Sequence, residues 1–280
     1  MKGVSVPPED SDFQWSKGFA ELPAGRQGSQ SVVSVRGRRD GARVLKRAAL
    51  GRGLTLHEAN AAVANLSAYR DELAFSDWNI PAVAETTVVG SGNAVEVWAI
   101  EQYIPGGDIA TLGFRDSRIR KALLQVVNAV SLVASQLPLT AVDNVTTLSM
   151  MPYGIDLKPS NIIVHPRTGL AYLVDTFPPL NFAENGSFAF YNSKVHRFSE
   201  SMLMAVCATR EGSILRFWRL LERQWNLGAA DTLTMRQMLA EVLEESPMPH
   251  ASVEIILGQI ETNYPMLDLY YAGALPSGAA

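Results

Sequence analysis

The stretch YGIDLKPSNIIV, Tyr153 to Val164, sets Asp156, Lys158 and Asn161 close together just ahead of an apolar run. A second run, LAYLVD, follows the turn segment HPRTG and ends at Asp175. If the two runs pair as a hairpin, Asp156, Asn161 and Asp175 meet at one end of it. A carboxylate and a side-chain amide oxygen are hard donors of the kind Mg2+ takes alongside substrate phosphates. The remaining carboxylate can accept a proton from an attacking hydroxyl, and Lys158 can neutralise charge on a moving phosphoryl group. Taken singly, Asp156 and Asn161 read as turn formers and Asp175 as a strand-closing residue. Together, with a lysine between them and two strands behind, they point to phosphoryl-transfer chemistry.

Such a cluster needs elements to hold it. SVVSVRG and ARVLKRA flank RRDG, and an Asp-Gly pair between β-rich runs signals a hairpin. The turn-rich LPAGRQGSQ joins an earlier strand to this pair. Thr55 and Glu58 have capping-box spacing at the head of the Ala- and Leu-rich TLHEANAAVANLSAYRDELAF, which predicts a helix. Two more strand-like runs follow, AVAETTVVG and AVEVWAIEQYI, separated by SGN. The order β-β-β-α-β-β predicts a small antiparallel sheet with one helix packed on it.

Beyond PGGD the pattern turns helical, with SRIRKALLQVVNAVSLVASQL, SILRFWRLLERQW, TMRQMLAEVLEE and SVEIILGQIE as predicted helices. From Gln237 onward there is no Lys or Arg, which reads as a solvated acidic face. At roughly 150 residues per domain, the 280-residue length fits two lobes, 1–104 and 105–280, with a ligand cleft between them. A hydrophobic content of 47% supplies core material, and a net charge of −4 implies no field-driven attraction to nucleic acid or to an acidic membrane surface. The single cysteine, Cys207, rules out an internal disulfide framework and reads as a buried structural thiol. MKGVSVPPEDSDFQW carries no long apolar region, so no signal peptide or membrane span is expected and a cytoplasmic location is. Competing motifs are absent: there is no G-x-x-x-x-G-K-[ST] sequence, GSG at 90–92 opens no helix, and the four histidines have no zinc spacing.

DLKPSNIIV resembles the catalytic loop of the protein-kinase-like superfamily, and VDTF resembles its metal-binding segment with the glycine altered. The resemblance covers most of the chain and implies an α+β, bilobal protein-kinase-like fold: a small antiparallel N-terminal β-sheet lobe with one helix, then a mainly helical C-terminal lobe. It implies ATP and Mg2+, with Asp156 as base, Lys158 on the γ-phosphoryl group, and Asn161 and Asp175 as metal ligands. RVLKRA resembles the third-strand motif, placing Lys46 on the α- and β-phosphates. PAGRQGSQSVVSV resembles a phosphate-covering loop, with Gly25 and Gly28 allowing close backbone approach. EQYIPGGDIATL resembles the hinge, where backbone groups near Gln102 and Ile104 meet adenine and Asp108 reaches the ribose. Glu58 and Glu72 both lie on the predicted helix as acidic partners for Lys46, with Glu58 preferred.

The departures bear on the acceptor. Gly154 and Ile155 stand where protein kinases carry His-Arg, and Pro178-Pro179 stiffens the segment after Thr176-Phe177. No Ala-Pro-Glu follows, and PLTAVDNVTTLSMMP is an extra stretch before the catalytic loop. These changes fit phosphoryl transfer to a small-molecule hydroxyl by a site that needs no prior phosphorylation. The alternatives are a divergent Ser/Thr protein kinase and a nucleotide-binding pseudokinase acting as an interaction module.

Overall fold

The computed structural model describes residues 20–21, 31–36, 42–48, 55–90, 95–133, 138–140, 147–151, 153–178, 181–182, 188–189 and 204–271. Strands β1 (Ala20–Glu21), β2 (Ser31–Arg36) and β3 (Arg43–Ala48) precede helix α1 (Leu56–Phe75). Strands β4 (Val83–Val89) and β5 (Glu96–Gln102) follow it. All five join one antiparallel sheet in the order β1-β2-β3-β5-β4. The observed β-β-β-α-β-β order is the expected one. The turns RRDG and SGN, and the glycines Gly25 and Gly28, lie outside the described residues.

Helix α1 starts where its cap chemistry says it should. The Thr55 hydroxyl accepts from the Glu58 N–H at 3.2 Å, and the Glu58 carboxylate accepts from the Thr55 N–H at 2.9 Å. Two N–H groups left open at the helix start are thereby satisfied reciprocally. Ala59, Ala62 and Val63 pack on Val88, Val95 and Val97 of the sheet, joined by Phe177. Further along α1, Tyr69 and Leu73 enter a second and larger core. The helix thus ties the sheet to the rest of the molecule.

That rest begins with β6 (Gly107–Asp108), α2 (Ile109–Leu112) and α3 (Ile119–Val133). The extra stretch forms an antiparallel pair, β7 (Pro138–Thr140) with β8 (Thr147–Ser149). A 3-10 turn at Pro159–Asn161 leads into β9 (Ile162–Val164), which pairs with β10 (Ala171–Leu173) and with β6. Next come β11 (Asn181–Phe182) with β12 (Phe188–Ala189), a π-helical turn at Met204–Ala208, and four helices. These are α4 (Arg210–Trp225), α5 (Ala229–Glu245), α6 (His250–Glu261) and α7 (Pro265–Tyr271). Val126, Val130, Leu148, Trp218, Leu239 and Ile256 are among the residues that fill their common core.

Two glycines are required by close approach. A Cβ at Gly106, where φ is +133°, would sit 2.2 Å from the Val164 carbonyl oxygen, and one at Gly212 would sit 1.8 Å from that of Ala205. The first lets the β5–β6 connection run against β9; the second seats α4 on the π-helical turn. The result is the expected α+β order: a small antiparallel sheet carrying one helix, then a mainly helical part. Among the described residues no helix is long and apolar enough to cross a membrane.

Candidate active site

The segment 155–158 alternates like a strand. Ile155 and Leu157 are buried, while Asp156 and Lys158 are half-buried. Period two puts residues 156 and 158 on the same side of the backbone, and Lys158 Nζ stands 2.7 Å from Oδ2 of Asp156. Lys158 is extended (φ −137°, ψ 153°), the conformation the following proline favours, and Pro159 opens the 3-10 turn. The Asn161 N–H closes that turn on the Lys158 carbonyl at 2.9 Å. The Val174 N–H then donates to the Asn161 carbonyl at 2.9 Å, tying the loop to the segment that leaves β10 for Asp175. From the helical lobe, the Cys207 carbonyl accepts from the Ile155 N–H at 2.6 Å.

These connections bring the three polar residues together as the hairpin argument expects. Asn161 Nδ2 donates to the Asp156 backbone carbonyl at 2.9 Å and lies 3.4 Å from Oδ2 of both Asp156 and Asp175. The electrostatics of the two carboxylates diverge. Burial alone would push Asp156 up, but Arg216 and Lys158 outweigh it and hold the group at about 2. Asp175 is raised above the usual carboxylate range, by burial first and by the charge of Asp156 second. Lys46, Lys158 and the Phe177 N–H oppose that rise without cancelling it.

A carboxylate kept costly to ionise beside a side-chain amide is a donor set that a hard dication would suit. Asp175 and Asn161 therefore fit Mg2+. Among the described residues no group of three or more His, Cys, Asp or Glu side chains could hold a metal alone. One carboxylate plus an amide, completed by substrate phosphates, is the usual economy of such sites.

Lys46 is buried on β3, and its ammonium stands 2.7 Å from Oε2 of Glu101 on β5 and also donates to the Val174 carbonyl. The acid at Lys46 is therefore a strand residue. Glu58, the preferred partner in the sequence, closes the capping box at the start of α1 instead, and Glu72 forms no ion pair with Lys46. A cation from the helix, Arg70, approaches the same carboxylate, with Nη1 3.0 Å from Oε1 of Glu101. Arg70 Nη1 also donates to the Thr176 hydroxyl at 2.5 Å, which donates to Glu101 Oε1 at 3.1 Å, and Nη2 donates to the Pro81 carbonyl.

Where a hinge was expected, the Gln102 N–H donates to the Ala82 carbonyl at 2.8 Å and the Tyr103 N–H to that of Ala42 at 3.1 Å. The Ile104 N–H makes no bond among the described residues, so of the two expected hinge positions it is the one with a donor to offer. Asp108 caps α2, its Oδ1 accepting from the Thr111 N–H at 2.9 Å, and its backbone pairs with Ile163. That cap role was not expected. It leaves Asp108 on the sheet that carries the β9–β10 hairpin.

No family model matches the chain, and no curated protein matches it. A solved structure described as aminoglycoside-3'-phosphotransferase of type VIII is similar over 93% of this chain and 97% of its own, at 15% identity and a TM-score of 0.49.

Three residues of the site were absent from the sequence reading: Arg216, Glu101 and Arg70. Arg216 Nη1 lies 2.7 Å from Oδ1 of Asp156 and 3.5 Å from the Cys207 sulfur. Cys207 itself is buried, which pushes its thiol up to about 12 and fits the structural role expected of it. A signal for all three does exist in the sequence. Val97 and Ala99 alternate on one face of β5, in step with Val95 just before it, and Glu101 continues that face; Arg70 falls one turn after Leu66 on the buried side of α1. Arg216 stands between the buried pairs Ile214-Leu215 and Phe217-Trp218. A lone charge where the period demands an apolar residue needs a buried partner.

Proposed function

We propose that this chain transfers the γ-phosphoryl group of ATP to a hydroxyl of a small molecule. The observation that carries the reading is the convergence of two carboxylates on one amide, Asn161 Nδ2 lying 3.4 Å from Oδ2 of Asp156 and of Asp175. The opposite environments of those carboxylates support different roles for them. Asp156, held at about 2, is ionised at physiological pH and accepts the hydrogen bond of the acceptor hydroxyl. As the new bond from hydroxyl oxygen to γ-phosphorus forms, the bond to the bridging oxygen breaks, ADP leaves, and Asp156 takes the proton. Lys158 moves from Asp156 to the γ-phosphoryl oxygens as their charge redistributes. Asp175 and Asn161 would hold Mg2+, which when bound neutralises charge on the phosphate oxygens.

Lys46 binds the α- and β-phosphates, the Ile104 N–H and Gln102 backbone flank adenine, and Asp108 serves the ribose; Gly25 and Gly28, outside the described residues, keep the phosphate-covering role on their sequence resemblance alone. Gly154 and Ile155 are both buried and leave no loop arginine ahead of Asp156 for a phosphorylated segment to engage. That favours a small-molecule acceptor over a protein Ser/Thr, and the net charge of −4 favours neither nucleic acid nor a membrane surface. A cytoplasmic site of action fits the single buried cysteine.

One observation favours a second reading, a nucleotide-binding pseudokinase without turnover: both oxygens of Asp156 are covered by cations, Lys158 and Arg216. The test is a thermal-shift titration with ATP and Mg2+, then transfer of labelled γ-phosphate in mixed protein and metabolite extracts. Labelled low-mass product supports the proposal. Labelled macromolecule supports a protein kinase, and binding without any transfer supports the second reading.

A further inference from the structure

The acid that anchors Lys46 sits on the sheet, and it anchors more than Lys46. In the β3–β5 register Lys46 faces Ala99 and Val44 faces Glu101, so Lys46 and Glu101 are diagonal neighbours on one face. That face is the one α1 covers, because Val97 packs with Ala59. Glu101 is 1% exposed and would be prohibitively costly there as an isolated carboxylate. It is compensated from three directions: Lys46 from β3, Arg70 from α1, and the Thr176 hydroxyl from the residue after Asp175. Thr176 is wholly buried, and its hydroxyl both donates to Glu101 and accepts from Arg70.

We propose that Glu101, Arg70 and Thr176 form a positioning lock in which one strand-borne carboxylate orients both the phosphate-binding Lys46 and the metal-ligating Asp175. This rests on the phosphotransferase reading of the site. A pair made between strand and helix breaks when the helix swings; Glu101 and Lys46 lie on adjacent strands of one sheet, whose pairing keeps their backbones at a fixed spacing. The helix contributes Arg70 instead, and Nη1 of that guanidinium spans Glu101 and Thr176. Because Thr176 follows Asp175 directly, fixing its side chain fixes the backbone from which the Asp175 carboxylate projects. None of the three touches a substrate in this arrangement; they act through Lys46 and Asp175.

The test separates metal-dependent from metal-independent nucleotide binding. ATP affinity of the full chain is measured by calorimetry with Mg2+ and again with EDTA, with melting curves for each variant. Thr176→Val keeps shape and removes the hydroxyl. It is expected to weaken ATP binding about tenfold with Mg2+, the scale of one hydrogen bond to a charged group, and to leave binding in EDTA at the parent value. Thr176→Ser is expected to restore the Mg2+-dependent gain. Arg70→Gln should match Thr176→Val, and the double variant should be no worse than either, since coupled residues are not additive. Glu101→Gln should weaken binding in both conditions, and Thr176→Val keeps the proposal testable should that variant not fold. A Thr176→Val protein with the parent's full Mg2+ response, or a Thr176→Ser protein as impaired as Thr176→Val, overturns the lock while ATP binding by the parent stands. A parent that binds no ATP overturns the phosphotransferase reading and the lock with it.

Discussion

Nη1 of Arg216, on helix α4, stands 2.7 Å from Oδ1 of Asp156, on the loop before β9. With Lys158 2.7 Å from Oδ2, each oxygen of the proposed base meets a cation. Because the folded value of Asp156 is depressed to about 2 against roughly 3.9 for a free aspartate, the pair stabilises the fold above about pH 4. That contribution is lost as pH falls through about 2. Removing Arg216 raises Asp156 toward the ordinary range and frees Oδ1 to wander. Arg216→Met is therefore expected to lower turnover roughly tenfold, a modest positioning loss, and to move the acid limb of the pH–rate profile upward. Arg216→Lys should keep the limb near its original place. A rise in turnover for Arg216→Met would instead mark Arg216 as a block on Asp156, whereas a parent that binds ATP with no turnover at all would favour the pseudokinase reading.

Asp156→Asn keeps the size of the side chain and removes the proton acceptor. General bases contribute about 10²–10⁴-fold, so turnover should drop within that range. ATP affinity should stay within about twofold, because Asp156 addresses the acceptor and the nucleotide contacts lie elsewhere. Turnover under saturating ATP and calorimetric ATP binding settle the point. Collapsed nucleotide affinity with normal turnover per bound ATP would contradict the assigned role.

Asp175 behaves in the opposite sense. Its folded value is raised, so the protonated form is favoured, and its contribution to stability is present below about pH 3.9 and lost as pH rises through the folded value. At neutral pH the ionised side chain is a cost to the fold that a bound dication would offset. Asp175→Asn should accordingly melt higher than the parent without metal, while losing the Mg2+-induced rise in melting temperature and most transfer activity. Melting curves at pH 7 with and without Mg2+ test this directly. An Asp175→Asn protein that melts lower than the parent and still transfers phosphate would return Asp175 to the role of a strand-closing residue.

What the sequence made legible was local. The Thr55–Glu58 capping box, the β9–β10 hairpin and the loop that gathers Asp156, Asn161 and Asp175 all follow from spacings under about twenty residues, where caps, turns and period-two alternation act. What it hid was long-range. Arg216 is 60 positions from Asp156, and Arg70 is 31 from Glu101 and 106 from Thr176. No spacing rule joins residues so far apart. Glu58 shows the same limit from the other side: its capping role was visible locally, and nothing local revealed that a carboxylate on β5 would take its expected place beside Lys46.

The last prediction concerns how the site comes to be competent. Thr176 was one of five hydroxyl residues between Asp175 and Glu200 available for a regulatory phosphate, with Ser187, Tyr191, Ser193 and Ser199. The latter four lie outside the described residues. Thr176 is 0% exposed and its oxygen is committed to Arg70 and Glu101, so a kinase could not reach it without unfolding the junction. A phosphate there would also meet the Glu101 carboxylate at hydrogen-bond distance, where like charges repel. Phe177, packed against the Ala59, Val88, Val95 and Val97 cluster, holds the same segment. The site is therefore expected to be active as folded. Replacing Ser187, Ser193 and Ser199 by Ala and Tyr191 by Phe should leave turnover within about twofold of the parent, before and after phosphatase treatment. Intact mass should show no added phosphate on the active parent. A large loss of activity that tracks loss of phosphate would make the site a loop-regulated one and promote the protein-kinase alternative.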